Sequence, residues 1–355
     1  MYFKNKYLKM IVGAATCGLC GMMAAGASAQ VMTATSPPTT WSTDLPPRLQ
    51  WNENFGYCGE VSLISAGLYF GQYASQYEAR SIASNGKPQY LSASQLLLGV
   101  NDQYATNAMH LNAVEWDAPA GSSSEDFLAW VKGYVLQGLP VAIGVYTNEY
   151  RFYGSTNPHA GDPLYDHIVP VNGIVSSHAA SDPTYYADDV IEFSDNGLWA
   201  PGGNPSYEFS YAFGAFQKTR TQANAHNGPI YSLASTGGNY GLAVTGVSDL
   251  YHDTLPVRLA TNVNDEKPDI ANHSNTPPAP IVLTITISGL KPGVAYKLYR
   301  YNDFSKVPDF AFNASAGQAY ESWNVQIAAG NQYVMSETIE SNEVAVYRAV
   351  AADAN

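Results

Sequence analysis

The stretch "QWNENFGYCGEVSLIS", residues 50–65, decides how the rest of the chain is read, because it sets Cys58 just ahead of a helical pattern. Val61, Ile64, Leu68 and Tyr69 recur at helical spacing, and Ser62, Ser65, Ala66 and Gly67 fill the other faces with small side chains. Such a helix can be packed on every side and suits the centre of a domain. Cys58 stands at its N-terminus. There, unpaired backbone N–H groups and the positive end of the helix dipole favour the thiolate.

Toward the N-terminus, Lys4, Lys6 and Lys9 precede an apolar, small-residue run from Met10 to Ala27, and Ala27-Ser28-Ala29 has the small-x-small form of a cleavage site. This pattern predicts a secretory leader over residues 1–29 and a secreted, periplasmic or cell-surface protein with no membrane span once the leader is cut. Cys17 and Cys20 would leave with it, so Cys58 alone would remain and no internal disulfide could form. An unpaired thiol outside the cell is open to oxidation. Two roles can justify keeping one, a small buried apolar side chain or a nucleophile. Three lysines and no acids go with the leader, which takes the net charge from −13 to −16. That balance argues against nucleic acid or anionic lipid as a partner.

The 355 residues predict two domains. Residues 30–47 are rich in Thr, Ser and Pro and read as a linker. A second helix is expected in "GSSSEDFLAWVKGYVLQG", with Ser122 and Glu125 at capping-box spacing and Gly138 and Pro140 at its end. Strand signals follow at "VAIGVY" (141–146), "HIVPVNGIV" (167–175) and "VIEFS" (190–194). Helices first and strands after give residues 48–225 an α+β order. From about residue 228 strand-like runs alternate with turns, which predicts an all-β sandwich over 228–350. Within it, Leu290-Lys-Pro292-Gly-Val-Ala-Tyr296 resembles the tyrosine corner of fibronectin type III and related sandwiches. No H-x-x-x-H or C-x-x-C spacing follows the leader, and no cofactor or metal is expected.

A nucleophilic Cys58 needs a base, and the base an orienting acceptor. Of the seven histidines, His167 is the best placed, since it opens a predicted strand. The next strand ends at Asp195, and antiparallel neighbours bring the start of one to the end of the other. His159, in the preceding loop, is the second candidate base. Cysteine, then histidine, then carboxylate or amide is the chain order of papain-type sites.

The segments "NFGYCGEVSLISAGLYF", "GLPVAIGVY", "DHIVPVNGI" and "VIEFSDNG" together resemble the papain-like cysteine peptidase superfamily, and in particular its C39-like peptidase branch, over about residues 48–220. The resemblance implies a papain-like fold and a Cys-dependent hydrolase of peptide or isopeptide bonds. It makes Cys58 the nucleophile, His167 the general base and acid, Asp195 the orienting group and Gln50 the oxyanion donor, with a peptide or protein as substrate. Three departures bear on it. The family's glutamine falls where Asn52 stands, so Gln50 and Asn52 compete for the oxyanion role. Glu60 occupies a place that usually carries Pro or Ala, and a carboxylate there opposes a nearby thiolate. Asn196 competes with Asp195, because papain orients its histidine with an amide. The pattern extends to phytochelatin synthase, so a Cys-dependent transpeptidase is an alternative outcome. So is a non-catalytic secreted binding or adhesion protein on the same scaffold.

Overall fold

The computed structural model describes residues 38–51, 54–148, 161–197, 207–217, 220, 229–234, 238–263 and 278–354. The expected leader, His159 and Asn52 lie outside these residues. The chain runs β1 (Thr39–Ser42), α1 (Cys58–Tyr69), β2 (Gln72–Tyr73), α2 (Gln76–Ser84), α3 (Asp102–Ala108), β3 (Leu111–Glu115), α4 (Ser124–Val135), β4 (Val141–Thr147), β5 (His167–Ser176), β6 (Val190–Asp195), β7 (Tyr207–Ala212) and a short α5 (Phe213–Phe216). Strands then dominate: β8 (Tyr231–Ser232), β9 (Gly241–Val247), β10 (Thr254–Leu255), β11 (Val257–Thr261), β12 (Pro280–Ser288), β13 (Ala295–Tyr301), β14 (Glu321–Gln326), β15 (Gln332–Glu340) and β16 (Ala345–Ala351).

Among the described residues the strands form three sheets, each built from antiparallel pairs. The largest has the order β3-β9-β4-β5-β6-β7, with β1 added to β5 and β8 to β4. A second has the order β10-β16-β13-β14, with β2 added to β16, and a third is β11-β12-β15. Helices and antiparallel sheets together make this an α+β protein.

Burial explains the placement of the helices. α4 sets Phe127, Leu128, Val131 and Val135 against Ile143, Val169 and Ile174 of the large sheet. α1 is buried without a break from Gly59 to Leu68, as its all-round small and apolar pattern predicts. Its Ile64 and Leu68 enter the core shared by the two smaller sheets, beside Leu283, Ile285 and Leu298. Leu63 and Ala66 pack instead with Tyr301 and Val346. A helix clasped from both sides in this way fixes its own N-terminus, and with it Cys58.

Several expectations are corrected. The boundary between 225 and 228 does not separate the sheets, because β9 lies between β3 and β4 of the large sheet and β2 joins β16. Residues 36–355 cluster as one compact unit. Apolar alternation identifies a strand but carries no information on which sheet it joins. The 30–47 segment is not merely a linker: Thr39–Ser42 pairs with Gly173–Ser176, and Leu45 is buried. Backbone pairing needs no apolar side chains, and β-branched threonine suits a strand. The capping box of α4 is Ser123 with Asp126, one residue beyond the expected pair. The tyrosine-corner contact is present, with the Lys291 N–H donating to the Tyr296 phenol at 3.0 Å.

Candidate active site

Cys58 is the first residue of α1 and is partly buried. The chain reaches it through Asn54, Phe55 and Gly56, all with positive φ (48°, 71° and 84°). A bulky residue such as Phe55 is rarely left-handed, so this turn is imposed by its surroundings. Arg80 of α2 supplies much of that imposition. Its guanidinium lies 3.7 Å over the Tyr57 ring, donates to the Asn54 carbonyl at 2.8 Å and donates to the Gly56 carbonyl. Its Nε donates to Glu60 Oε1 at 2.6 Å, and the same oxygen accepts the Leu96 N–H at 2.9 Å. Glu60 is therefore neutralised in place by a buried cation, which removes the expected conflict with a thiolate at Cys58.

His167 opens β5 and Asp195 closes β6, and the pairing of Val171 with Phe193 brings the two ends together. His167 Nε2 lies 2.9 Å from Asp195 Oδ1, both residues being buried. The Cys58 side chain lies close enough to His167 to help raise its imidazole. Asp195 is held from three directions. The Gly197 N–H donates to Oδ1 at 2.6 Å, the imidazole shares that oxygen, and the Tyr231 phenol donates to Oδ2.

The electrostatics follow from this packing. Burial works against a charge on His167, but the Asp195 carboxylate and the Cys58 contact outweigh it and raise the imidazole to about 10. Burial likewise works against ionised Asp195, yet His167, Tyr231 and the Gly197 N–H hold it below the usual carboxylate value. The favoured state of the pair is imidazolium beside carboxylate.

Gln50 and Asn196 divide the remaining work. The Gln50 backbone N–H donates to the Asn196 carbonyl at 2.7 Å, and its side-chain Oε1 accepts the Tyr57 N–H at 2.8 Å. This pins the Gln50 amide one residue before the cysteine and leaves Nε2 as its donor. Gln76 holds the flanking backbone, accepting the Trp51 N–H at 2.8 Å and donating to the Leu49 carbonyl at 2.9 Å. Asn196 turns its amide toward α1 and β5. Its Nδ2 donates to the carbonyls of Cys58 and Ile168, each at 3.1 Å, and to Ser62 Oγ at 3.2 Å, which ties the first turn of α1 to β5.

Tyr165 closes one side. It packs with Cys58, Leu98 and Tyr240, and its phenol donates to the Leu98 carbonyl at 3.0 Å. Burial, then the nearby Cys58, raise its phenol above the ordinary tyrosine value. Sequence reasoning missed Arg80, Gln76, Tyr165 and Tyr231. Only Arg80 had a signal, since a glutamate inside an otherwise buried helix calls for a cation. Among the described residues no group of three or more His, Cys, Asp or Glu is placed to hold a metal ion, and no helix is long and apolar enough to cross a membrane.

No protein-family profile matches the chain, and neither a curated protein nor a solved structure matches it.

Proposed function

We propose that the chain is a cysteine-dependent peptidase of papain-like type, hydrolysing peptide or isopeptide bonds through an acyl-enzyme. One observation carries this reading: His167 is held by Asp195 at 2.9 Å and stands beside Cys58, whose side chain helps to raise its imidazole. A structural cysteine has no need of a histidine so oriented, whereas a nucleophile needs both contacts.

In the reaction the Cys58 thiolate attacks the substrate carbonyl carbon. The oxyanion is held by the Cys58 N–H at the start of α1 and by Gln50 Nε2. The His167 imidazolium gives its proton to the leaving amine as the tetrahedral centre collapses. Water, deprotonated by the now neutral His167, then releases the acid product and regenerates the thiol. Asp195 fixes the tautomer and ring plane throughout. The segment after residue 228 supports the site, since β8 and β9 complete the large sheet.

The test is Cys58 alkylation by dilute iodoacetamide between pH 5 and 9, read by intact mass, on the native protein and on His167→Ala. Fast labelling below pH 7 that the substitution removes is the expected result. Labelling that rises only near the free-thiol value of about 8.5 in both proteins overturns the enzyme.

A further inference from the structure

The phenol of Tyr231 reaches the site from outside the residues that form it. It sits on β8, a two-residue strand paired with the far end of β4 through Tyr146–Ser232 and Thr147–Tyr231. Two further bonds hold this short strand in place. The Asn148 side chain accepts the Ile230 N–H at 2.6 Å, and the Tyr211 phenol accepts the Tyr231 N–H at 3.1 Å. The Tyr231 ring stands edge-on to Phe193 at 5.2 Å and against Phe209 at 4.7 Å, and the side chain is 2% exposed. With ring and backbone held in this way, the hydroxyl donates to Asp195 Oδ2.

That oxygen matters because Oδ1 is already engaged by His167 and the Gly197 N–H. Donors on both oxygens fix the plane of a carboxylate more firmly than donors on one. We propose that Tyr231 is a positioning residue of the Cys58 site, fixing the plane of the Asp195 carboxylate and with it the orientation of His167. The proposal rests on the peptidase reading for its consequence at Cys58, but its claim about the Asp195–His167 pair stands apart from it. The titratable groups that act on the pair are Cys58 from α1 and Tyr231 itself; the Tyr211 phenol from β7 meets the Tyr231 backbone N–H, and Tyr165 lies near Cys58.

The sign follows from the bond. Removing a donor from an ionised, buried carboxylate makes it easier to protonate. A hydrogen bond to a charged group corresponds to about one to two pH units.

Tyr231→Phe in the full chain keeps the ring and deletes the hydroxyl. Two quantities test it. The first is the pH at which the downfield resonance of the His167 Nε2 proton is lost on acidification. This is expected to move up by about one unit in the variant. The second is the ratio of Cys58 alkylation rates at pH 6 and pH 9. It is expected to fall in the variant, because a carboxylate with less to hold its plane orients His167 less well. Replacing Tyr231 with 3-fluorotyrosine, a more acidic phenol of nearly the same shape, is expected to shift the resonance loss the opposite way. It serves as the test if Tyr231→Phe does not fold. Titrations that superimpose for all three proteins overturn the proposal and leave Tyr231 as packing. A shifted resonance with slow alkylation in every protein, the native one included, upholds the hold on Asp195 and sinks the peptidase.

Discussion

Glu60 and Arg80 show what one residue position can require of another. Each is about 1% exposed or less, and each is the other's counter-charge at 2.6 Å. Removing one partner of a buried ion pair leaves a stranded charge, typically at a cost of about 3–5 kcal/mol. Arg80→Met is therefore expected to destabilise the protein by about that amount in urea unfolding, and to slow Cys58 alkylation as the Asn54–Gly56 turn loosens. Adding Glu60→Gln should restore part of the stability by removing the stranded charge, but not the reactivity, which depends on Arg80 at the turn. Equal recovery of both would show that Arg80 serves only to balance Glu60. Titration offers a second expectation. His167 is raised from 6.5 to about 10, so its contribution to stability is complete below 6.5 and fades as the pH rises toward 10. Asp195 is lowered from 3.8, so its contribution is present above that value and is lost as the pH falls below it. The difference in Tm between the native protein and Asp195→Asn should be widest between those limits and narrow by pH 10. A difference that stays flat across this range would mean that the two side chains do not share charge.

At the scale of elements, much of the arrangement was legible. Cys58, His167 and Asp195 lie at the ends of regular elements, at the start of α1, the start of β5 and the end of β6. Element ends carry local signals: a Cys-Gly before a helical run, a histidine before an apolar run, an Asp-Asn-Gly turn. The contest between Asp195 and Asn196 could not be decided from these signals, since a one-residue difference at a strand end depends on register. The structure puts the carboxylate on the imidazole and the amide on the Cys58 and Ile168 carbonyls. β15 sets Tyr333, Met335 and Ile339 toward the core in alternation with exposed residues, but Glu337 interrupts the apolar pattern. Close packing at α1 gives the prediction proper to this scale. A Cβ on Gly59 would stand 2.2 Å from the Leu96 carbonyl oxygen. Backbone atoms cannot yield as a flexible side chain does, so Gly59→Ala should cost about 1–3 kcal/mol and displace the start of α1. Thermal unfolding and the alkylation rate of that variant check both parts, and an unchanged Tm would show that the 96–98 segment moves freely.

For the whole molecule, the strands that complete the large sheet come late in the chain. β9 supplies the link between β3 and β4, and β8 delivers Tyr231 to Asp195. The second half is bound to the first in return. The Arg48 guanidinium donates to Thr261, the Tyr73 phenol to the Ser341 carbonyl, and Arg348 to Phe70 and Gln72. A chain cut after residue 227 should thus show no cooperative unfolding transition by circular dichroism and no activated thiol. Cooperative melting of that fragment would restore the two-domain division expected from the sequence.

The late arrival of β8 also has a meaning in time. Ribosomes release a chain from its N-terminus, and domains acquire structure as their parts emerge. Cys58 is out long before Tyr231, and for that interval its histidine has no fixed carboxylate to lean on. On the proposed peptidase reading, a site that becomes competent only when its last strands are in place would be harmless to its own unfinished chain and to the machinery that makes it.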